Sequence, residues 1–204
     1  MVRLPAKAGL HDEIVRVSIQ LGSELGEDGL TMRAIAARLG VSATALYQHF
    51  ESKAAILREI RLHGVQTLLA AMGPAAELDD AEERVREIAR RYTDFALSNP
   101  WLYKVLFQGE DLEWAAVDEE ERDLLLAPLR QTRAAFEAGV RSGLFRSDVD
   151  VDNTALLFWA SLHGLASLLI NGRISEAHPV FPVPDRDGFV SGFIAGLVRA
   201  VRAS

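Results

Sequence analysis

Residues 31–50 read TMRAIAARLGVSATALYQHF. After Thr31, a residue able to cap a helix, Met32, Ile35, Ala36 and Leu39 recur at helical spacing. Gly40 stops that helix and supplies the positive φ that a tight turn at Gly40-Val41-Ser42 requires. Ser42 can cap a further short helix, Ala43 to Phe50. Two short helices around a glycine turn form a helix-turn-helix, but many helical hairpins of this kind bind no DNA. The surface of the second helix favours a DNA reader. Its Thr44, Tyr47, Gln48 and His49 are small or hydrogen-bonding, and no carboxylate occurs from Val41 to Phe50. An exposed helix without acids can enter the major groove without repelling phosphates.

Working outward, Leu10, Ile14, Val17, Leu21 and Leu25 draw one face of a first helix, and Ser52 can cap a fourth running to about Met72, ended by Gly73-Pro74. Asp80 and Glu83 have capping-box spacing ahead of a helix carrying Val85, Ile88, Tyr92 and Phe95. Asn99-Pro100 reads as a cap with proline at the first helical position. The acidic stretch Glu110–Asp123 reads as a solvated loop before a helix ending near Gly143, with Pro128 placed to kink it. Further helices are expected over Val151–Ile170 and Asp187–Arg202, joined by the proline-rich Pro179–Pro184. No stretch keeps a period of two. The expected fold is all-α with about nine helices. Residues 1–54 are expected to form a three-helix DNA-binding domain, and residues 55–204 a helical bundle for regulation and dimerisation.

The net charge of −7 looks wrong for a DNA binder until the chain is divided. Through Lys53, acidic residues match Arg3, Lys7, Arg16, Arg33, Arg38 and Lys53 one for one, so the negative excess lies entirely beyond. Within residues 29–53, Arg33, Arg38 and Lys53 face only Glu51. Local balance decides whether a segment can approach phosphates. The absence of cysteine excludes disulfides, thiolate zinc sites and cysteine nucleophiles. Met1–Leu10 has no continuous apolar core, and Thr154–Ile170, interrupted by Ser161 and His163, reads as a buried core helix rather than a membrane span. A cytoplasmic protein without a membrane partner is expected. Nucleophile-elbow, metalloprotease and phosphate-loop motifs are missing, and His11, His49, His63, His163 and His178 are scattered. No enzyme, no cofactor and no metal site is therefore expected.

Thr31, Ile35-Ala36, Leu39-Gly40-Val41-Ser42, Leu46-Tyr47, His49-Phe50 and Lys53 together resemble the signature of the tetracycline-repressor (TetR) family, over about residues 10 to 60. The resemblance implies a recognition helix in the major groove, with the helix before it lying across. It implies that Thr31 holds a phosphate, Arg33 and Lys53 add charge, and Tyr47 gives its phenol to the backbone. Ser42 belongs to the same surface. Base reading would fall to Ala43, Thr44, Gln48 and His49, with glutamine suited to adenine and Thr44 or Ala43 to a thymine methyl. One such head makes too few contacts for a unique site, so a homodimer on a near-palindromic duplex is expected, its heads about 34 Å or a multiple apart.

Gly188, Gly192, Gly196 and Ala200 recur every four residues, and Ala160, Gly164 and Ser167 form a similar stripe. Each helical glycine costs up to about 1 kcal/mol relative to alanine, which close approach of another helix can offset. A four-helix dimer interface is the favoured reading; the others are packing within one subunit and glycines that mark flexible chain. Trp159, His163 and Gly164 resemble the W-x-x-x-H-G element that names a regulatory domain in part of the same family, and Asn99-Pro100-Trp101-Leu102-Tyr103 is similar to the same domain, which would cover about residues 80 to 200. Phe95, Trp101, Tyr103, Phe107, Phe136, Trp159 and His163 are candidate walls of an effector cavity. Each, like Trp114 and Phe158, could equally be ordinary core. The resulting expectation is a homodimeric repressor released by an unidentified apolar or amphipathic effector, with the fourth helix as lever. The alternative is a ligand-independent architectural or interaction protein that keeps the fold.

Overall fold

Helices make up the regular structure of the computed structural model, which describes residues 7–107 and 117–203. Arg3, Trp114 and the first part of the acidic stretch lie outside those residues. In chain order the helices are α1 Lys7–Gly29, α2 Met32–Leu39, α3 Ala43–Tyr47, α4 Lys53–Met72, α5 Ala81–Ser98, α6 Pro100–Phe107, α7 Glu119–Arg141, α8 Val151–Ile170 and α9 Arg186–Arg199. A 3₁₀ turn, Gly73–Glu77, follows α4. Among the described residues the nine α-helices are joined by one isolated β-bridge, Phe145 to Arg202, and by no strand.

The chain forms two compact units, dividing after Gly64 within α4 and again around α6. The first holds α1 to α3, the start of α4, and α6. Ile14, Val17, Leu21, Leu30, Ile35, Leu46, Phe50, Ile56 and Ile60 are buried in it. Burying each such side chain fully contributes roughly 1.5–3 kcal/mol. Leu25, expected on the inward face of α1, is instead exposed. The helical dihedrals break at Gly26, with φ 72° and ψ −176°, and Leu30 beyond the break fills the interior instead. The trace of α6 across α1 is fixed by a key: a Cβ on Gly22 would overlap Cζ2, Cε2 and Cη2 of the Trp101 ring. On α4, Gly64 lies against Leu102 and Leu106 in the same way, though less tightly.

In the second unit α5 is central, packed by α7, α8 and α9. Its inward face carries Val85, Ile88, Tyr92 and Phe95. Asp80, Asp118, Asp150 and Asp185 cap α5, α7, α8 and α9, each side chain accepting the N–H three residues on. The last carbonyls of α4 are met by side chains: Arg91 donates to Ala71 O at 3.0 Å and Gln131 to Met72 O at 3.1 Å.

Several boundaries differ from expectation. The acidic residues Glu119, Glu120 and Glu121 are not loop but the first turn of α7, where negative charge faces the positive end of the helix dipole. Pro128 lies inside α7. Regular α3 stops at Tyr47 rather than Phe50, the tail tightening through His49 N–H to Leu46 O. The last helix ends at Arg199, and Arg202 turns back to Phe145. Asn99 donates its side-chain amide to Phe95 O, so it closes α5. Finally, α8 is long and apolar enough to cross a membrane by length and composition, yet it is not wholly buried as expected. Ala155, Phe158, Leu162, Leu165, Ala166 and Leu169 face inward, while Leu156, Leu157, Ala160, Gly164 and Leu168 are exposed.

Candidate functional site

The helix-turn-helix is assembled by its caps. Thr31 Oγ1 accepts the Ala34 N–H and Ser42 Oγ the Ala45 N–H, each at 3.1 Å. Gly40 takes φ 67°, and the N–H of Val41 reaches back to Ala36 O at 3.0 Å. Leu46 and Phe50 point inward, which turns Ala43, Thr44, Tyr47 and Gln48 outward on one face of α3 and the turn after it. Tyr47 is 54% exposed. Arg33 is exposed on the first turn of α2, beside Thr31. His49 is half-buried, 6.5 Å from the ring of His11, which itself stacks on Phe50 at 4.6 Å.

Two of the three basic residues of this segment are engaged by the end of α1. Arg38 donates to both carboxylate oxygens of Glu24, at 2.8 and 3.3 Å, and this hydrogen bond lowers the Glu24 pKa and raises that of Arg38. Lys53 Nζ donates to the main-chain oxygen of Glu27 at 2.7 Å and lies 4.0 Å from its carboxylate. The partners are 14 and 26 residues apart, so no helical spacing signals them.

The seven candidate cavity residues are divided between the units. In the first, Trp101 is half-buried over Gly22, Tyr103 is fully buried, and Phe107 lies 4.9 Å from the Tyr103 ring. In the second, Phe95 is buried and Phe136 packs between Phe145 and Phe158 at 5.7 and 5.2 Å. Trp159 and His163 stack at 5.6 Å, both half-buried, and burial pushes the His163 pKa below the usual imidazole value.

Of the stripe residues, Ala160, Gly164, Gly188, Gly192, Gly196 and Ala200 are exposed and Ser167 is half-buried. A Cβ on Gly164, Gly192 or Gly196 would meet nothing within 4 Å, so their own unit makes no use of their smallness. Gly188 is different. A side chain there would strike the Asp185 carboxylate that caps α9. The small-residue spacing gives no sign of the large apolar side chains exposed beside it: Leu156, Leu157 and Leu168 on α8, and Phe189 on α9.

Comparison with known proteins agrees with this architecture. Residues 14–60 match the family model described as bacterial regulatory proteins, tetR family, and residues 85–186 match the tetracyclin repressor-like C-terminal domain. The second match contains the W-x-x-x-H-G element. The chain is 30% identical over 161 residues to the HTH-type transcriptional repressor KstR2 of Rhodococcus jostii, covering 72% of each protein. Over a 44-residue stretch, 22% of this chain and 20% of the other, it is 50% identical to the class A tetracycline repressor of Escherichia coli. The fold is shared with a protein of unknown function from Rhodococcus sp. RHA1, at 24% identity and a TM-score of 0.80 over 95% of this chain and 96% of that one. Matched in both halves, this chain belongs to the TetR family and is a DNA-binding transcriptional regulator.

Proposed function

We propose that the protein is a homodimeric repressor that occludes a near-palindromic operator in the bacterial cytoplasm and is released by a small apolar or amphipathic effector. The observation that carries the DNA-reading half is the acid-free outward face of Ala43, Thr44, Tyr47 and Gln48. On this reading Gln48 and Thr44 contact base edges. Thr31, Arg33, Ser42, Tyr47 and Lys53 hold the backbone, and His49, half-buried, has a marginal share. Dimerisation by α8 and α9 is supported by the exposed Ala160 and by exposed glycines, Gly164, Gly192 and Gly196, whose smallness no described neighbour requires.

The effector half of the proposal centres on Trp159 and His163, a stacked and incompletely buried pair in the second unit. Such a pair offers an aromatic wall and one directional hydrogen bond. An effector can shift DNA affinity only by its differential affinity for the two states, typically 1–3 kcal/mol, with α4 as the connecting lever. A ligand-independent regulator is the second reading, favoured by the complete burial of Tyr103 and Phe136 in closed core.

The test is selection of bound duplexes from a random pool by the purified protein, followed by fluorescence anisotropy on the enriched site. A palindromic consensus is expected. Gln48→Ala should relax one base position and cost about 1–3 kcal/mol, whereas Arg33→Ala should weaken all sequences alike. Failure to enrich any sequence would refute the reading function. Screening apolar and amphipathic compounds for release of that duplex then separates the effector-driven reading from the ligand-independent one.

A further inference from the structure

Six of the large hydrophobic side chains exposed among the described residues lie on one run of chain, α8, the following loop and α9: Leu156, Leu157, Leu168, Val180, Phe181 and Phe189. Within it, Leu157 is 67%, Val180 66% and Phe181 73% exposed. The loop, residues 171–185, is long for a connection between neighbouring helices, which usually takes about 2–8 residues. It is also built. Gly172 takes φ 66°, and Arg173 and Ile174 donate back to Leu168 O. Ser175 Oγ donates to Gly172 O at 3.1 Å, and Val183 N–H closes onto Ser175 O at 3.0 Å.

His178 organises the tip. Its Nδ1 accepts the N–H of Phe181 at 2.9 Å and of Val180 at 3.3 Å, which places the ring proton on Nε2. The imidazole lies nearly parallel to the Phe181 ring, centroids 6.1 Å apart and planes at 18°. A loop that fixes its own backbone while holding Val180 and Phe181 in water is preorganised for a surface that covers them.

We infer that Val180 and Phe181, presented by the His178-shaped loop, form an arm that docks on a second copy of this chain. The inference rests on the homodimer proposed above. The arm is continuous in sequence with both helices of that interface. The six side chains together expose on the order of 600 Å² of apolar surface. With the small residues of the stripe they supply most of the roughly 800 Å² per partner of a standard stable interface, and Phe181, 73% exposed, is the most exposed of the six. A two-fold dimer uses the same patch on both subunits, so each arm serves once on either side.

Sedimentation velocity of the full chain over a concentration series tests this. The native protein should be a dimer at micromolar concentration. The double variant Val180→Ser/Phe181→Ser should raise the dimer dissociation constant on the order of 100-fold, since both arms lose their apolar contacts. His178→Ala keeps the apolar side chains but loosens the loop, and should raise it about tenfold. Both changes are at the surface, so unchanged far-ultraviolet circular dichroism is expected. A native dimer whose dissociation constant is unaffected by the double variant would overturn the arm and leave the dimer reading standing. A native monomer would overturn both. The chain has no cysteine, so Phe181→Cys labelled with a benzophenone maleimide gives a second readout. Photolysis should yield covalent dimer, and monomer only would contradict the arm.

Discussion

Gly22→Ala adds one methyl group where α6 crosses α1. The new carbon would overlap Cζ2, Cε2 and Cη2 of Trp101, a rigid ring that cannot yield as a flexible side chain does. Overpacking of this kind costs roughly 1–3 kcal/mol. Alanine also gains about 1 kcal/mol over glycine in helix propensity, so the net loss is about 1 kcal/mol. The opposing terms separate in a double-mutant cycle. In a Trp101→Ala background the overlap disappears, and Gly22→Ala becomes stabilising by up to about 1 kcal/mol. Urea unfolding followed by far-ultraviolet circular dichroism gives all four stabilities, independent of the indole that is removed. The expected coupling is about 2 kcal/mol, with the sign of the Gly22→Ala effect reversing between backgrounds. If Gly22→Ala stabilised the protein with Trp101 present, or acted identically in both backgrounds, the keyed crossing of α1 and α6 would be wrong.

Lys53→Gln should lower unfolding stability by about 1 kcal/mol through the lost hydrogen bond to Glu27 O, measured in urea. If Lys53 also holds a phosphate, the salt slope of DNA binding should fall by about 1 per head in anisotropy titrations; an unchanged slope limits Lys53 to closing α1. Glu24→Gln frees the Arg38 guanidinium, so non-specific duplex affinity should rise and its salt dependence steepen, and weaker binding would contradict this. Burial lowers the folded-state pKa of His163 below its unfolded value. The corresponding stability is therefore full above the ordinary imidazole range and lost as pH falls from that range through the lowered value. His163→Gln should flatten that part of a denaturation-midpoint profile against pH, and an unchanged profile would remove His163 as its source.

The helix-turn-helix was legible because its determinants are local. A cap at Thr31, a left-handed turn at Gly40 and a second cap at Ser42 depend only on residues within one turn of one another. The same holds for Asp80 before α5, where a carboxylate meets an N–H three residues on. Contacts across the fold left no such trace. Nothing in the spacing of Gly22 and Trp101 announces that they touch, and the break at Gly26 that exposes Leu25 needs the tertiary interior to choose Leu30 instead. Val151–Ile170 shows the limit most clearly. Its small-residue stripe at Ala160 and Gly164 was visible, but its large apolar residues recur on every side, so no periodicity separated the inward Phe158, Leu162 and Leu165 from the outward Leu156, Leu157 and Leu168.

An acidic protein can still read DNA because the charges near the groove are handled locally. Of Arg33, Arg38 and Lys53, the latter two share their charge with Glu24 and Glu27 at the end of α1. Exposed pairs like these add little stability, because water screens them. Their larger consequence is electrostatic. They cut the net positive charge that one head offers to phosphate, and on the reading proposed above it is the uncharged face of Ala43, Thr44, Tyr47 and Gln48 that meets the groove. A head with little excess charge binds all sequences weakly, because non-specific affinity scales with the phosphates neutralised. Discrimination must then come from hydrogen bonds and methyl contacts at base edges, and sufficient affinity from pairing two heads on one site. In the dimer proposed above, exposed apolar surface on α8, the following loop and α9 is the counterpart of a nearly neutral reading head: the weaker each head is alone, the more the regulator depends on holding two together.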